Sequence, residues 1–469
     1  MLLFPSSPSV RFFHGPVVVA SPVDNGRVCA YLASGARLSE RATAGAGTVP
    51  SMPAAPTAES FPSPAFRRFW AGEAVSGFGN YVTLLALQTL VVLTLDGTAQ
   101  QVGWLSSARW LPYLVLGLLV GALVDRRRRR PVMVATDLAR AALLTAIPVA
   151  WAADVLSMPL LLVVVAAFGT ASLVNDAASM SFLPRLVPGE HLQRAHARLD
   201  GADAVAQTSG PALAGVLVGV VGAPLAVLVN SATYLMSAIT VATLGTQEQA
   251  AGDTGEAPHL RREIKEGVRW VYGRSGLTTL AISTHVWFVA NATVGVVIAP
   301  YALLVLDLSP FQLGVVTGLA GVGALVGAAF ASRVGRAVGT GGAIAVAYSA
   351  SSVGILVMAV AGLGTSGWGA AAVLGVGSVC HGWGMGLSNS HEMSYRQRMT
   401  PDALQARVNT TMRSFNRAVV VVVAPLAGLF ADQFGLRPAL VVAAVVFALA
   451  VSVLATALPL RPTGAAAPG

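Results

Sequence analysis

Five consecutive arginines, Arg126 to Arg130, stand in GALVDRRRRRP (Gly121 to Pro131) between two long apolar runs. A block of like charge is ordinarily solvated, yet about twenty apolar residues flank it on each side, the length that crosses a bilayer core. The block must therefore occupy a short loop at a membrane face. Lys and Arg collect on the cytoplasmic side, so this loop orients its two flanking helices and, by alternation, all the others.

The rest of the chain agrees. It is 55% hydrophobic and 11% charged, with mean hydropathy +0.68, too apolar for a surface in contact with water. A net charge of +9 would suggest nucleic acid in a soluble domain, but the bases are not clustered on one face. Arg185, Arg194 and Arg198, then Arg261, Arg262, Lys265, Arg269 and Arg274, then Arg333 and Arg336, then Arg396, Arg398 and Arg407 fall in every second connection. The intervening connections hold Asp96, Asp154, Asp307 and the single base Arg437. This positive-inside pattern argues against nucleic acid and for a lipid bilayer as partner. Cys29 and Cys380 have neither the spacing nor the setting of a bridge or a metal site.

Residues 1–65 are rich in Pro, Ala, Ser and Gly without periodicity and are expected to form a disordered cytoplasmic tail. A signal peptide is disfavoured by Pro5, Pro8 and Pro16, and Met52 is an alternative translation start. Twelve apolar segments follow, at about 69–95, 102–124, 132–152, 158–183, 202–222, 224–245, 277–300, 312–332, 341–362, 368–393, 411–433 and 438–459. An even number places both termini in the cytoplasm. Residues 246–276 open polar and end in HLRREIKEGVRWVYG, where Leu260, Ile264, Val268 and Val271 recur at helical spacing among bases. That pattern predicts an amphipathic helix lying on the inner membrane surface. It divides the chain into bundles at 66–245 and 277–460, with 461–469 as a cytoplasmic tail.

An internal repeat supports this division. MSFLPRLVP (Met180 to Pro188) matches MSYRQRMTP (Met393 to Pro401), and AGVLVGVVGAPLA (Ala214 to Ala226) matches AGLFADQFGLRPA (Ala427 to Ala439) in the same register. Asn80, Asp96 and Gly103 align with Asn291, Asp307 and Gly314 at a constant offset. The fold expected is an all-α membrane protein of twelve transmembrane helices in two pseudo-symmetric six-helix bundles, related by an axis along the membrane normal.

The chain resembles a major facilitator superfamily transporter, in the branch of enterobactin exporters and macrolide efflux proteins, from about Phe66 to Pro459. The residues that carry the likeness are Phe66 to Trp70 leading into the first helix, the loop signature Gly121, Asp125, Arg126, Arg129 and Arg130, DLARA (Asp137 to Ala141), and SGPALAG (Ser209 to Gly215). The loop departs from the family form in having Arg128 where a glycine is expected. Its second-half counterpart, GAAFASRVGR (Gly327 to Arg336), has no acid. The resemblance implies a cytoplasmic gate at Asp125, and a carboxylate there could meet the positive N-terminal end of a helix from the other half, with Arg413 and Arg417 of the eleventh segment close by. The competing reading is that Asp125 and the arginines only set topology.

Ionisable groups inside a membrane are costly and so are candidates for function. Asp176 and Glu73 are candidates for proton coupling, although Glu73 and Glu392 lie near enough to the inner surface for simple solvation. Asp176 has the neutral Asn389 as its repeat mate. Asn80, Asn291, Arg109, His285 and Asn389 are candidates to line a substrate cavity, with snorkelling to headgroups competing for Arg109. Gly210, Pro211 and Gly215 are expected to kink the fifth helix and pack it tightly. His391-Glu392 lacks the second histidine of a zinc site, and no glycine run carries a phosphate-loop lysine. With no metal, cofactor or nucleotide signature, the expectation is a secondary transporter and not an enzyme. It would be monomeric, in the plasma membrane, exporting small amphipathic molecules in exchange for protons. The alternatives are a metabolite importer on the same fold and a membrane sensor or scaffold without transport.

Overall fold

The computed structural model describes residues 61–125, 127–244, 260–273 and 277–455. The expectations for residues 1–60, Met52 included, for the polar start of the 246–276 connection, for 461–469, for Arg126 and for the side chain of Asp125 lie outside the described residues. Within them every regular element is helical, and ten helices are long and apolar enough to cross a membrane.

The first group is α1 (Pro64–Thr89), α2 (Ala99–Asp125), α3 (Arg129–Ala152), α4 (Met158–Leu186), α5 (Leu192–Val221) and α6 (Ala223–Ala242). Helix α1 begins earlier than the apolar run suggests. Ser63 accepts a hydrogen bond from the Phe66 amide, Pro64 occupies the first turn, and Phe69 lies buried against Phe182 at 5.8 Å. After the short helix α7 (Leu260–Tyr272) come α8 (Thr278–Pro300), α9 (Pro310–Val360), α10 (Gly367–Arg398), α11 (Asp402–Phe434) and α12 (Leu436–Ala455). A straight helix as long as α9 would measure about 76 Å, far more than a bilayer. Gly339, at φ +76°, divides it into two arms, a backbone state that glycine adopts without steric cost.

The repeat is visible in the backbone. Helix α1 ends in a π turn at Leu90–Thr94 and α8 in one at Tyr301–Val305. Each is followed by an aspartate with positive φ, Asp96 at 48° and Asp307 at 51°. Gly222 and Gly435, matched in sequence, join α5 to α6 and α11 to α12 with φ of 81° and 102°. In the first group α1 packs on α5 and α6, α3 on α4 and α6, and α2 on α4. In the second, α8 packs on α11 and α12, and α9 on α10 and α12. The two groups meet where α2 packs on α11 and where α5 packs on α9.

Helix α7 is partly covered by protein: Val271 is fully buried and α7 packs on α11 and α8, while Ile264 of the same apolar face stays exposed. Glu266 pairs with Arg407 of α11 at 2.5 Å and with Arg262 at 2.9 Å. Amphipathic periodicity specifies an apolar stripe without saying what covers it.

Candidate functional site

A cavity of about 370 Å³ lies within the first group, between α1, α3, α4, α5 and α6, and is lined by Glu73, Asn80, Arg140, Asn175, Asp176 and Ser179 among others. Asp137 and Arg140, one turn apart on α3, form a buried ion pair beside it. Two opposite charges on one helix face neutralise each other where neither would be tolerated alone. The pair is held from three sides. Asn175 of α4 donates to Asp137 at 3.2 Å and to Thr136 at 2.9 Å. The Arg140 guanidinium lies 4.1 Å from the centre of the Tyr234 ring on α6. The Tyr234 hydroxyl in turn donates to Asn80 of α1. Asp176 points into the cavity and accepts from the Tyr113 hydroxyl of α2 at 2.7 Å. Arg417 of α11 lies 4.5 Å from the centre of that same tyrosine ring. Asp176 and Glu73 thus share one cavity with Asn80.

A second cavity, about 230 Å³, lies between α5 and the helices α8, α9 and α10, lined by Gln207, Trp287, Phe288, Met385, Asn389 and Glu392 among others. Glu392 accepts from Tyr348 at 2.8 Å and from Thr284 at 3.2 Å. It is half-buried and held by these two hydroxyls, where simple solvation is the expectation from its place near the end of an apolar run. The repeat relates the two cavities. Asn389 is the mate of Asp176, and each lines its own cavity. Thr284 stands in α8 where Glu73 stands in α1, and Glu392 stands in α10 where Ser179 stands in α4. Glu73 faces Ser179, so each group holds an acid opposite a hydroxyl, with the helices exchanged.

At the end of the molecule opposite the arginine-rich connections the groups meet closely. Both carboxylate oxygens of Asp432, on α11, accept from the first amides of α2: Ala99 at 3.0 Å and Gln100 at 3.0 Å. These amides have no partner within their own helix, and a negative charge there also meets the positive end of the helix dipole. Beside this cap a side chain on Gly103 would strike the backbone of Ala424 and Pro425, and one on Gly428 that of Ala99 and Gln100. The repeat-related contact of α5 with α9 is built the same way: a Cβ at Gly215 would meet the Pro310 carbonyl oxygen at 2.6 Å, and one at Gly314 the Pro211 carbonyl. Glycine lets the backbones approach this closely.

Other predicted residues serve elsewhere. Arg130 donates to the carbonyls of Val241 (3.1 Å) and Ala242 and so caps α6, while Arg129 is buried and Arg413 exposed. Arg417 stacks near Trp110 and Tyr113 of α2. His285 bridges Tyr272 of α7 (2.6 Å) and Asn416 of α11 (2.7 Å), and is not among the residues lining either cavity. Arg109 is half-buried in α2, its carbonyl against Gly169 of α4. Asn291 is half-buried in α8. Gly210 abuts Tyr81, and α5 runs through Pro211 as one helix.

Comparison with known proteins converges on one family. Residues 69–395 match the profile described as Major Facilitator Superfamily. Macrolide efflux protein A of Streptococcus pyogenes is 27% identical over 224 residues, covering 46% of this chain and 53% of that protein. The multidrug efflux pump Tap of Mycobacterium tuberculosis is 30% identical over 230 residues, covering 47% and 53%. The chain thus spans about half the length of the curated relatives it matches. Among solved structures, a bacterial homologue of the iron transporter ferroportin in its inward-facing state superposes with TM-score 0.67 at 15% identity, over 84% of this chain and 98% of the other. The outward-facing state of that homologue gives 0.54 at 16% identity, over 84% and 99%. The profile match covers well over half of the sequence and agrees with the all-helical fold: the chain belongs to the Major Facilitator Superfamily.

Proposed function

We propose that this protein exports amphipathic small molecules across a bacterial inner membrane in exchange for protons, by alternating access of two six-helix bundles. Counting α9 as two spans at Gly339 and including α2 makes twelve, with α7 in the connection between bundles and both termini cytoplasmic. The observation that carries the reading is the pair of repeat-related cavities, each with an ionisable group beside its hydroxyl partner, inside an assembly closed at one end. By the arginine count that closed end faces outside. The state is then inward-facing, and the better superposition on the inward-facing ferroportin homologue supports this. The efflux named for the two curated relatives supports export, and the sparsely charged helices favour an amphipathic cargo.

In this reading Asp176 and Glu73 exchange the proton in the first cavity. Asp176 binds Tyr113, and Tyr113 touches Arg417 of the other bundle, so a change of charge at Asp176 alters a contact between bundles. The test is transport in proteoliposomes. The wild type is expected to accumulate a macrolide when the lumen is acid and to stop when a protonophore is added. Asp176→Asn, which mimics the protonated acid and copies Asn389, is expected to retain downhill exchange and lose gradient-driven accumulation. Intact gradient-driven transport would make Asp176 structural and Glu73 the next acid to test.

A further inference from the structure

The second cavity holds an acid for which the proton-exchange reading has no use. Glu392 has no ion-pair partner among the described residues. The nearest base along its helix, Arg396, is one turn away and lies against sulfur, 2.7 Å from Met393 and 3.9 Å from Met412. The neighbouring His391 is turned to the Ala331 carbonyl at 3.0 Å. Both carboxylate oxygens of Glu392 accept from hydroxyls, Tyr348 and Thr284. This orients the carboxylate without neutralising it, since neither donor carries charge. The rest of the wall is aromatic and apolar, with Trp287, Phe288, Met385 and Ala324 beside the acid. An acid held in an apolar wall without an ion pair is costly, and an aromatic wall attracts a cation through the ring face.

We propose that this cavity is a subsite for the cationic part of the transported molecule: a lipophilic organic cation whose charge is met by Glu392 and whose apolar body rests on Trp287 and Phe288. The repeat gives the two cavities different tasks. In the first bundle two acids, Glu73 and Asp176, share their cavity with Arg140, whose charge is paired with Asp137. In the second a single acid among the described residues lines the cavity, with Arg396 one turn away attracting it across space but forming no ion pair, and Asn389 replaces the aspartate. Gln207 of α5 completes the wall from the first bundle, so a molecule held by Glu392 touches both bundles. The inference rests on the transport reading for its biological sense but makes a claim about binding alone.

The test compares radiolabelled tetraphenylphosphonium with triphenylphosphine oxide, a neutral molecule of similar shape, by equilibrium binding to the purified full-length protein in detergent. Wild type is expected to bind the cation at least tenfold more tightly than the oxide. In Glu392→Gln that preference is expected to vanish through loss of cation affinity, with oxide affinity unchanged and Glu392→Asp in between. Unchanged cation affinity in Glu392→Gln would overturn the proposal. Should that variant not fold, wild type provides the second measurement: tetraphenylphosphonium is expected to slow modification of Glu392 by dicyclohexylcarbodiimide, read by mass spectrometry, and no slowing would overturn it. The two readings fail separately. Cation binding through Glu392 with no pH-driven transport would overturn the transport reading alone. Transport of a neutral substrate with no charge preference at Glu392 would overturn this one alone.

Discussion

Asp137 and Arg140 illustrate what a single side chain carries in this molecule. The pair is buried, and its members reach α4 through Asn175 and α6 through Tyr234. Removing one member leaves the other as an unpaired buried charge, which costs about 3–5 kcal/mol. Arg140→Met is therefore expected to lower the thermal midpoint of the purified protein by several degrees, and the double variant Asp137→Asn, Arg140→Met to recover much of that loss. If the single and double variants were equally destabilised, the pair would matter through packing and not charge. The sequence contained this pair in plain view, as opposite charges three residues apart in an apolar run. DLARA carries the family resemblance, and its opposite charges lie at the three-residue spacing that lets side chains meet on one helix face. Glu392 is not legible in that way. Its place near the end of an apolar run suggests solvation, and the hydroxyls of Tyr348 and Thr284 that hold it come from helices distant in sequence.

At the scale of elements, long apolar runs made the helices legible, because a bilayer demands about twenty residues per span. Contacts between distant helices were not legible. A gate formed by a carboxylate and a helix N-terminus was expected at Asp125, and that side chain lies outside the described residues. The same chemistry is present at the opposite end, where Asp432 caps α2. Nothing in local sequence ties residues 432 and 99, and the repeat mate of Asp432 is Gly219. Asp432 is exposed, so its charge-to-dipole contact is worth about 0.3–1 kcal/mol. Asp432→Asn is expected to open that end several-fold more often, read as faster alkylation of a cysteine placed at Gln100. An unchanged rate would make the cap incidental. Gly428→Leu, which inserts a side chain against α2, is expected to oppose closure more strongly, by about 1–3 kcal/mol as overpacking does. For α7, the Arg262 hydrogen bond and then the Arg407 charge hold the Glu266 carboxyl below its ordinary range. A depressed carboxylate contributes stability above its unfolded pKa of about 4.3 and loses it as pH falls through the lower folded value. The contribution of Glu266 to docking of α7 on α11 is thus expected to be constant between about pH 5 and 8, read as an unchanging difference in hydrogen exchange of 260–272 between wild type and Glu266→Gln; a difference that fades within that window would contradict it.

For the whole molecule, the repeat read from a few matched residues reappears as matched π turns, matched positive-φ aspartates and matched glycine crossings. What the repeat could not reveal is which end is closed, because both ends are coded in one sequence and the difference between states is a small free energy distributed over many contacts. Alternating access requires that the two ends move in opposite senses. With Cys29 and Cys380 replaced, spin-label pairs at Arg127 and Arg398 report the arginine-rich end, and pairs at Asp154 and Gly364 the other. The most direct measurement is both distances by double electron–electron resonance, with and without an amphipathic substrate and across a change of pH. The account predicts that a condition that shortens the 127–398 distance lengthens the 154–364 distance. Distances that stay fixed, or that change together in the same direction, would contradict it.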